Sequence, residues 1–360
     1  MEPASHVPGT PDERGAAPAQ SPSATPRRGV FSRLLRLFKL TFGLAAAGLL
    51  VVFAAVLVVA WNAEPGLTEE YHSLARHGRH KVAIIRLEGP ILEGEGFVKK
   101  QIDQVRQDSA VKAVVLRVNS PGGSVTAADY IYHHLRKLCE ERKLPLVVSM
   151  GGMAASGGYY VSMAVGDAEG TLFAEPTTWC GSIGVIIPHY NVAELAAELG
   201  VEEDSIKSHP LKAMGNPLKR LSPEEQQIFQ GLVDEALDRF KQVVAHGRPR
   251  LAAEPGKIER LATGQVFTTR QALNHGLVDR EGFIEDAIDR AIELAGLDKS
   301  ETCVIRYRGW PTLLDLLLMS REPARRSELE LLLDLTTPRA YYLCTWLPPL
   351  VRPGSQGWEN

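Results

Sequence analysis

The stretch Gly151-Gly152-Met153-Ala154-Ala155-Ser156-Gly157-Gly158-Tyr159-Tyr160 follows closely on the apolar run Leu146-Val147-Val148-Ser149. The apolar run reads as a strand and the residues from about Ser156 onward as the start of a helix. Ser156 is therefore expected at a strand-to-helix junction. Small residues on both sides let backbone approach backbone and let a substrate reach the hydroxyl. The carboxyl edge of a parallel sheet is where α/β proteins place their sites, and a helix start favours developing negative charge. A helix N-cap beside packing glycines is the competing reading of the same serine.

Outward from this stretch, strands and helices alternate. Residues 82–87 and 113–118 are short apolar runs read as buried strands, with a Gly89-Pro90 turn after the first. Residues 97–109 and 126–142 read as helices, and residues 171–174 as a further short strand. Such alternation argues for βαβ units and a mainly parallel sheet. Ser222-Pro223-Glu224-Glu225 is a helix start with serine at the cap, proline in the first turn and a capping-box glutamate. The apolar residues Ile228, Leu232, Ala236, Phe240 and Val244 recur every four positions and predict one buried stripe. A last unit runs from Val266 to Ala272 and ends at Leu277-Val278-Asp279. No internal repeat is present, and the tail beyond about residue 303 mixes leucine clusters with arginines.

The 360 residues carry 44% hydrophobic and 23% charged residues, ample for a globular core. A formal net charge of -3 gives no global basic field of the kind nucleic acid requires. Cys139, Cys180, Cys303 and Cys344 lack C-x-x-C spacing, which argues against a metal site and against a disulfide framework, although one or two isolated bridges stay open. Residues 40–60 contain no charged side chain and are long enough to cross a bilayer core of roughly 30 Å. Arg27, Arg28, Arg33, Arg36 and Lys39 precede them, while Glu64, Glu69 and Glu70 follow. Positive-inside bias then puts the N-terminus in the cytoplasm and the rest outside the membrane, periplasmic or extracellular. The expected organisation is a disordered basic tail (1–39), a single transmembrane helix (40–61), a connector (62–79), a catalytic domain (80–300) and a C-terminal extension (301–360).

Three further motifs bear on chemistry. Ser120-Pro121-Gly122-Gly123 is a strand-to-helix turn whose amides, with that of Gly157, could form a two-donor oxyanion hole. As packing alone it is a type II turn. Lys207-Ser208-His209-Pro210-Leu211-Lys212 offers candidate bases; a lysine base needs desolvation to hold a neutral amine near neutral pH. Each lysine also fits an ordinary solvated charge, and Pro210 beside His209 suggests an exposed turn. Ser182, in Gly181-Ser182-Ile183-Gly184, could orient a base amine or simply close a loop. A serine with a neutral lysine can carry out acyl transfer without a Ser-His-Asp triad.

Taken together, the run Met153–Tyr160, the Ser120-Pro121-Gly122-Gly123 turn, Gly181-Ser182-Ile183-Gly184-Val185 and the unit from Val266 to Asp279 resemble, in order, the signal peptide peptidase A family of membrane-anchored serine proteases. The resemblance covers residues 80 to about 295. It implies the Clp/crotonase α/β spiral preceded by a transmembrane helix. It also implies Ser156 as nucleophile, Lys212 as general base, Ser182 orienting that base, and Gly157 with Gly123 or Gly122 as oxyanion donors. The family's Lys-Ser-Gly-x-x-Lys pattern is altered here by His209, Pro210 and Ala213. Peptide substrates, released signal peptides or other apolar membrane-proximal segments, are implied, with no cofactor and no metal. A homo-oligomer with sites built between neighbouring subunits is implied as well. Two rival functions share the fold: a catalytically silent peptide-binding scaffold, tested by a serine-reactive probe, and a crotonase-type acyl-CoA enzyme, tested by thioester binding.

Overall fold

A computed structural model describes residues 67–309 and 341–343, together with residue 39, residues 42–43 and residues 48–53. The chain divides into two compact units, residues 1–63 and 64–360. In the first, residues 48–53 are helical, and among the described residues no helix is long and apolar enough to cross a membrane. Most of the expected span at 40–61, and nearly all of the tail before it, lie outside the described residues.

The second unit is built on a sheet of nine described strands. Its centre is β2 (His80–Glu88), β3 (Val111–Ser120) and β5 (Leu146–Ala155), all parallel. Their apolar runs are buried on both faces, as central parallel strands require. Alternation decides which face each residue serves. Ala83, Ile85, Val114 and Leu116 pack under the helices Phe97–Gln107 and Val125–Arg142. Val82, Ile84, Ala113 and Val115 pack against Ala287, Ile288, Ala291 and Ile292 of the helix Ile284–Leu294. The expected α/β architecture of βαβ units is thus present, with helices on both faces of a mostly parallel sheet.

Two strands extend the sheet beyond the expected 80–300 domain. β10 (Thr302–Gly309) pairs in parallel with β2, and β1 (Leu67–Leu74) closes that edge in antiparallel fashion. The residues read as connector and as the start of an extension therefore belong to the sheet. Both were obscured by charge: Glu69 and Glu70 in β1 and Arg306 and Arg308 in β10 interrupt the apolar signal. Across the pair Glu70 accepts two hydrogen bonds from Arg306 at 2.9 Å.

At Gly151-Gly152 the sheet turns a corner. Before the corner β5 pairs with β6 (Leu172–Ala174); after it, Met153–Ala155 pair with β7 (Trp179–Gly181). The register against β3 shifts at the same place. A Cβ on Gly151 would stand 3.0 Å from the Arg117 guanidinium. That guanidinium is held by Ser149 Oγ at 2.8 Å and by Glu175 at 2.5 Å. β7 in turn pairs with β8 (Val266–Thr268), which leads into the helix Thr269–His275 through a second capping box, Thr268 with Gln271. The second half of β5 therefore delivers Ser156 to a small branch of the same sheet, formed by β7 and β8.

The helix Pro223–Gly247 starts at the capping box read from sequence: Glu225 N donates to Ser222 Oγ at 3.2 Å and Ser222 N to Glu225 Oε2 at 2.8 Å. Its predicted stripe is buried only in the second half. Phe240 and Val244 are enclosed, whereas Ile228 and Leu232 are exposed. In the first half the described chain buries Glu225 and Phe229 instead, which lie off the predicted stripe.

Candidate active site

β5 ends at Ala155 and the helix Gly157–Ser162 begins at the residue after next, so Ser156 alone makes the turn. Its backbone takes φ 53°, ψ -116°, a conformation that L side chains rarely adopt. Holding it there costs about 1–3 kcal/mol. The surroundings fix it: Ser156 N donates to Gly181 O at 2.7 Å, and Ser156 O accepts from Tyr160 N at 2.8 Å. The residue is 1% exposed. Its side chain makes no cap hydrogen bond to the helix, so the N-cap reading does not account for a serine here. A sharp, strained strand-to-helix turn that leaves the hydroxyl uncommitted is the geometry of a nucleophile elbow.

Three glycines converge on this turn. Gly122 lies at φ +97°, and a Cβ there would stand 2.6 Å from Gly157 N and well inside contact distance of the Tyr342 carbonyl oxygen. A Cβ on Gly157 would lie 3.1 Å from the same oxygen and 3.2 Å from Gly123 N. Only glycine permits these backbones to meet around a carbonyl. The Gly122 amide is already donated, to Ser120 Oγ at 3.1 Å, and Ser120 Oγ itself donates to Gly89 O at 2.7 Å. Gly123 and Gly157 are then the amides left to face an oxyanion, and Gly122 serves by having no side chain.

Ser182 stands beside Ser156. Ala155 and Gly181 are partners in the β5–β7 ladder, so the two serines follow each other in register. Ser182 also has positive φ, at 50°; its N donates to Gln265 O at 2.7 Å and its Oγ to Gly264 O at 3.1 Å. Four described non-glycine residues have positive φ, and these two serines are among them.

The candidate bases are elsewhere. Lys212 is exposed on the 3-10 turn Pro210–Ala213, and among the described residues no hydrogen bond or ion pair joins it to Ser156 or Ser182. Lys207 is tied to Glu203 at 2.6 Å, and the Glu203 carboxyl is held down at about 2 chiefly by that lysine. His209 accepts from Leu211 N at 3.3 Å and so caps the turn. The arm around them exposes large apolar side chains: Leu195, Leu199, Val201 and Ile206. Within one chain the structure brings Gly122, Gly123, Gly157 and Ser182 to Ser156, and among the described residues no hydrogen bond or ion pair joins either lysine to it.

Several residues at the site carried no sequence signal. β11 (Tyr341–Leu343) pairs antiparallel with β4 (Gly122–Ser124), Tyr342 opposite Gly123. Its other edge meets Ile186: Ile186 N donates to Tyr341 O at 3.0 Å and Tyr341 N to Ile186 O at 2.9 Å. The Tyr342 ring is fully buried, with Tyr160 stacked at 5.0 Å and Phe240 at 4.6 Å between centroids. Tyr342 Oη donates to Ala236 O at 2.7 Å. Tyr160 Oη donates to Asp129, which also accepts from Arg239 at 2.9 Å. Burial first, and the Asp129 contact second, push the Tyr160 phenol up. Tyr160 and Phe240 could have been suspected, since one lies in the opening motif and the other in the helix stripe. Nothing in the sequence around Tyr342 points to Ser156.

Among the described residues no His, Cys, Asp and Glu cluster could hold a metal ion, and Cys139, Cys180 and Cys303 are free thiols. Burial raises Cys139 and Cys180 to about 12, which keeps them protonated and unreactive at neutral pH.

A mostly parallel α/β sheet with a strained serine at a strand-to-helix turn, facing converging backbone amides, is an arrangement suited to acyl transfer. Comparison with known proteins gives the family. The profile of peptidase family S49 matches residues 139–298, and that of Clp protease matches residues 80–178. A putative protease of Synechocystis is 39% identical over 220 residues, covering 61% of this chain and 76% of that one. Protease 4 of Salmonella typhi is 38% identical over 256 residues, 69% of this chain and 40% of that protein. A putative signal peptide peptidase SppA of Enterococcus faecium is 39% identical over 208 residues, 58% of each. The chain belongs to peptidase family S49, the signal peptide peptidase A family of serine peptidases.

Proposed function

We propose that the protein is a membrane-anchored serine endopeptidase working through a Ser156–Lys212 dyad. The Lys212 amine takes the Ser156 proton as Oγ attacks a peptide carbonyl. The amides of Gly157 and Gly123 hold the oxyanion, and Lys212 returns the proton to the leaving amine. Water, deprotonated by the same lysine, then releases the acyl group. Ser182, whose hydroxyl proton is given to Gly264 O, keeps lone pairs to accept from the lysine and orient it. The observation that carries the reading is Ser156 itself: strained, buried, uncommitted at the hydroxyl and surrounded by glycine backbone.

Because Lys212 is exposed and separate in one chain, the dyad is completed by a second copy, whose arm brings its lysine to Ser156. The apolar surface of that arm supplies the association energy. Residues 40–61 anchor the protein, with the peptidase outside the cytoplasm. Substrates are apolar, membrane-proximal peptides, signal peptides among them, a class suggested by the name of the Enterococcus faecium relative. The test mixes two dead variants, Ser156→Ala and Lys212→Ala. Random assembly into a closed ring restores about a quarter of the wild-type sites when the dyad spans two copies, and none when it lies within one.

The separation of Lys212 also favours one alternative, a peptide-binding scaffold without catalysis. A fluorophosphonate probe that fails to label Ser156 in the assembled protein would select it.

A further inference from the structure

We propose that Ser120 is a positioning residue of the reaction, which fixes the amides of Gly123 and Gly157 against each other at the oxyanion site without touching the substrate. The inference rests on Ser156 being the nucleophile of the proposed reaction.

Ser120 is the last residue of β3 and is fully buried. Its hydroxyl works in both senses, donating to Gly89 O at 2.7 Å and accepting from Gly122 N at 3.1 Å. One hydroxyl can do both because it carries one proton and two lone pairs. These bonds join two loops that lie apart in the sequence, the Gly89-Pro90 turn after β2 and the Ser120–Gly123 turn after β3. Gly89 N in turn donates to Asn119 O at 2.9 Å, so the two loops are laced from both sides.

The amides that follow Ser120 have different fates. Pro121 has no N–H. Gly122 N is given to the Ser120 hydroxyl, and Ser124 N donates to Ile91 O at 2.7 Å. Gly122 O accepts from Ile91 N at 2.8 Å, which clamps this edge of β4. Gly122 and Ser124 bond on the Ile91 edge, so the amide of Gly123 between them points to the opposite edge. Without the Ser120 hydroxyl, the Gly122 amide would be free to turn toward water or toward the same substrate oxygen, and nothing would set the direction of its neighbour.

Ser120 also sets the distance to the second donor. It pairs with Ala154 in the β3–β5 ladder, on the strand that delivers Ser156. Its carbonyl lies against the first turn of the helix Gly157–Ser162: a Cβ on Gly158 would stand 2.9 Å from Ser120 O and 3.3 Å from Ser120 Cβ. Gly157 and the Gly123 amide are neighbours as a result, since a Cβ on Gly157 would lie 3.2 Å from Gly123 N. One residue thus touches the loop behind the turn, the turn itself and the helix that carries the partner amide. An oxyanion hole acts by preorganisation, so donors that must reorient during the reaction lose much of their effect. Loosening the turn therefore acts on the transition state, where the oxygen carries charge, and much less on the bound peptide.

The experiment separates transition-state from ground-state binding in the full chain. Wild type and Ser120→Ala are compared on the substrate acetyl-Ala-Leu-Ala aminomethylcoumarin amide and on the inhibitor acetyl-Ala-Leu-boroalanine. The inhibitor's boron accepts Ser156 Oγ, whose proton passes to Lys212, and one boron-bound oxygen then occupies the oxyanion site. Ser120→Ala should lower kcat about thirtyfold and weaken the boronate by a similar factor, while KM stays within about twofold. The pH midpoint of kcat/KM should not move, because the base is untouched. Ser120→Cys, which keeps a weak donor and acceptor, should lose only about fivefold in kcat. If circular dichroism shows Ser120→Ala unfolded, the same readings are taken on Ser120→Cys alone. Unchanged kcat, a loss lying in KM alone, or a shifted pH midpoint overturns the assignment. A wild-type protein that neither cleaves the amide nor binds the boronate contradicts the proposed peptidase and removes this assignment with it. An active wild type matched by Ser120→Ala removes this assignment alone.

Discussion

The Ser156 cradle and the arm that carries Lys212 are built in opposite ways. Around Ser156 the side chains are buried, the backbones touch, and single atoms decide the packing: Gly122, Gly157 and Gly158 each lack room for a Cβ without movement of backbone neighbours. Around Lys212 the chain runs through short helices and 3-10 turns with Ile206, Leu199 and Leu195 facing outward. The first region is complete within one chain and tolerates no added volume. The second shows apolar surface that a single copy leaves uncovered. Under the proposed Ser156–Lys212 dyad, the strained, precise half is preformed and the proton acceptor is conditional on assembly.

That contrast can be broken by substitution, and the largest effect should come from the cradle. Ser156→Ala should lower peptide hydrolysis by about a thousandfold or more, with the circular dichroism spectrum unchanged. Lys212→Ala should be nearly as severe and should leave the melting temperature within about a degree or two, since an exposed side chain contributes little to the fold. Gly122→Ala should both inactivate and destabilise, because positive φ and the close carbonyl act together; a loss of about 2–3 kcal/mol in denaturant unfolding is expected. A stable, active Gly122→Ala protein would show that the carbonyl approach is not a constraint.

The remaining predictions concern stability. Arg248 and Asp279 form a largely enclosed ion pair at 2.7 Å, and Asp279 also accepts from Thr171 N and Leu172 N at 2.9 and 3.0 Å. Burial alone would raise the Asp279 carboxyl, but Arg248 and the two amides outweigh it and hold it below its ordinary value of 3.8. A depressed carboxylate stabilises the fold fully above its unfolded pKa and loses that contribution as pH falls through the folded one. Asp279→Asn should therefore cost about 3 kcal/mol at neutral pH, with the difference from wild type shrinking below about pH 4. The smallest effect should be a gain: Ser156→Gly removes the positive-φ strain and should raise stability by about 1 kcal/mol while abolishing activity.

Sequence reading reached the cradle far better than the arm, and the reason is physical. Strands such as 82–87 and 113–118 are buried on both faces, so they appear as unbroken apolar runs. The capping box at Ser222 and Glu225 is a local device written in four adjacent residues. Ser156 announces itself through glycines that its turn requires. The strands at 67–74 and 302–309 were hidden because each edge carries charges that pair only across the sheet, Glu70 with Arg306. The exposed first half of the stripe at Ile228 and Leu232 was misread as buried, since periodicity gives a face and says nothing of what covers it. Tyr342 was beyond reach entirely: its partners Tyr160, Phe240 and Gly122 are brought to it by the fold, and no local pattern records that meeting.

The most direct test of the account is fluorophosphonate labelling of the assembled protein, with the modified residue located by mass spectrometry and the labelling rate compared between wild type and Lys212→Ala. The account predicts a single adduct on Ser156, formed at least about a hundredfold faster when Lys212 is present. Labelling of another serine, or labelling of Ser156 at the same rate without Lys212, would contradict it.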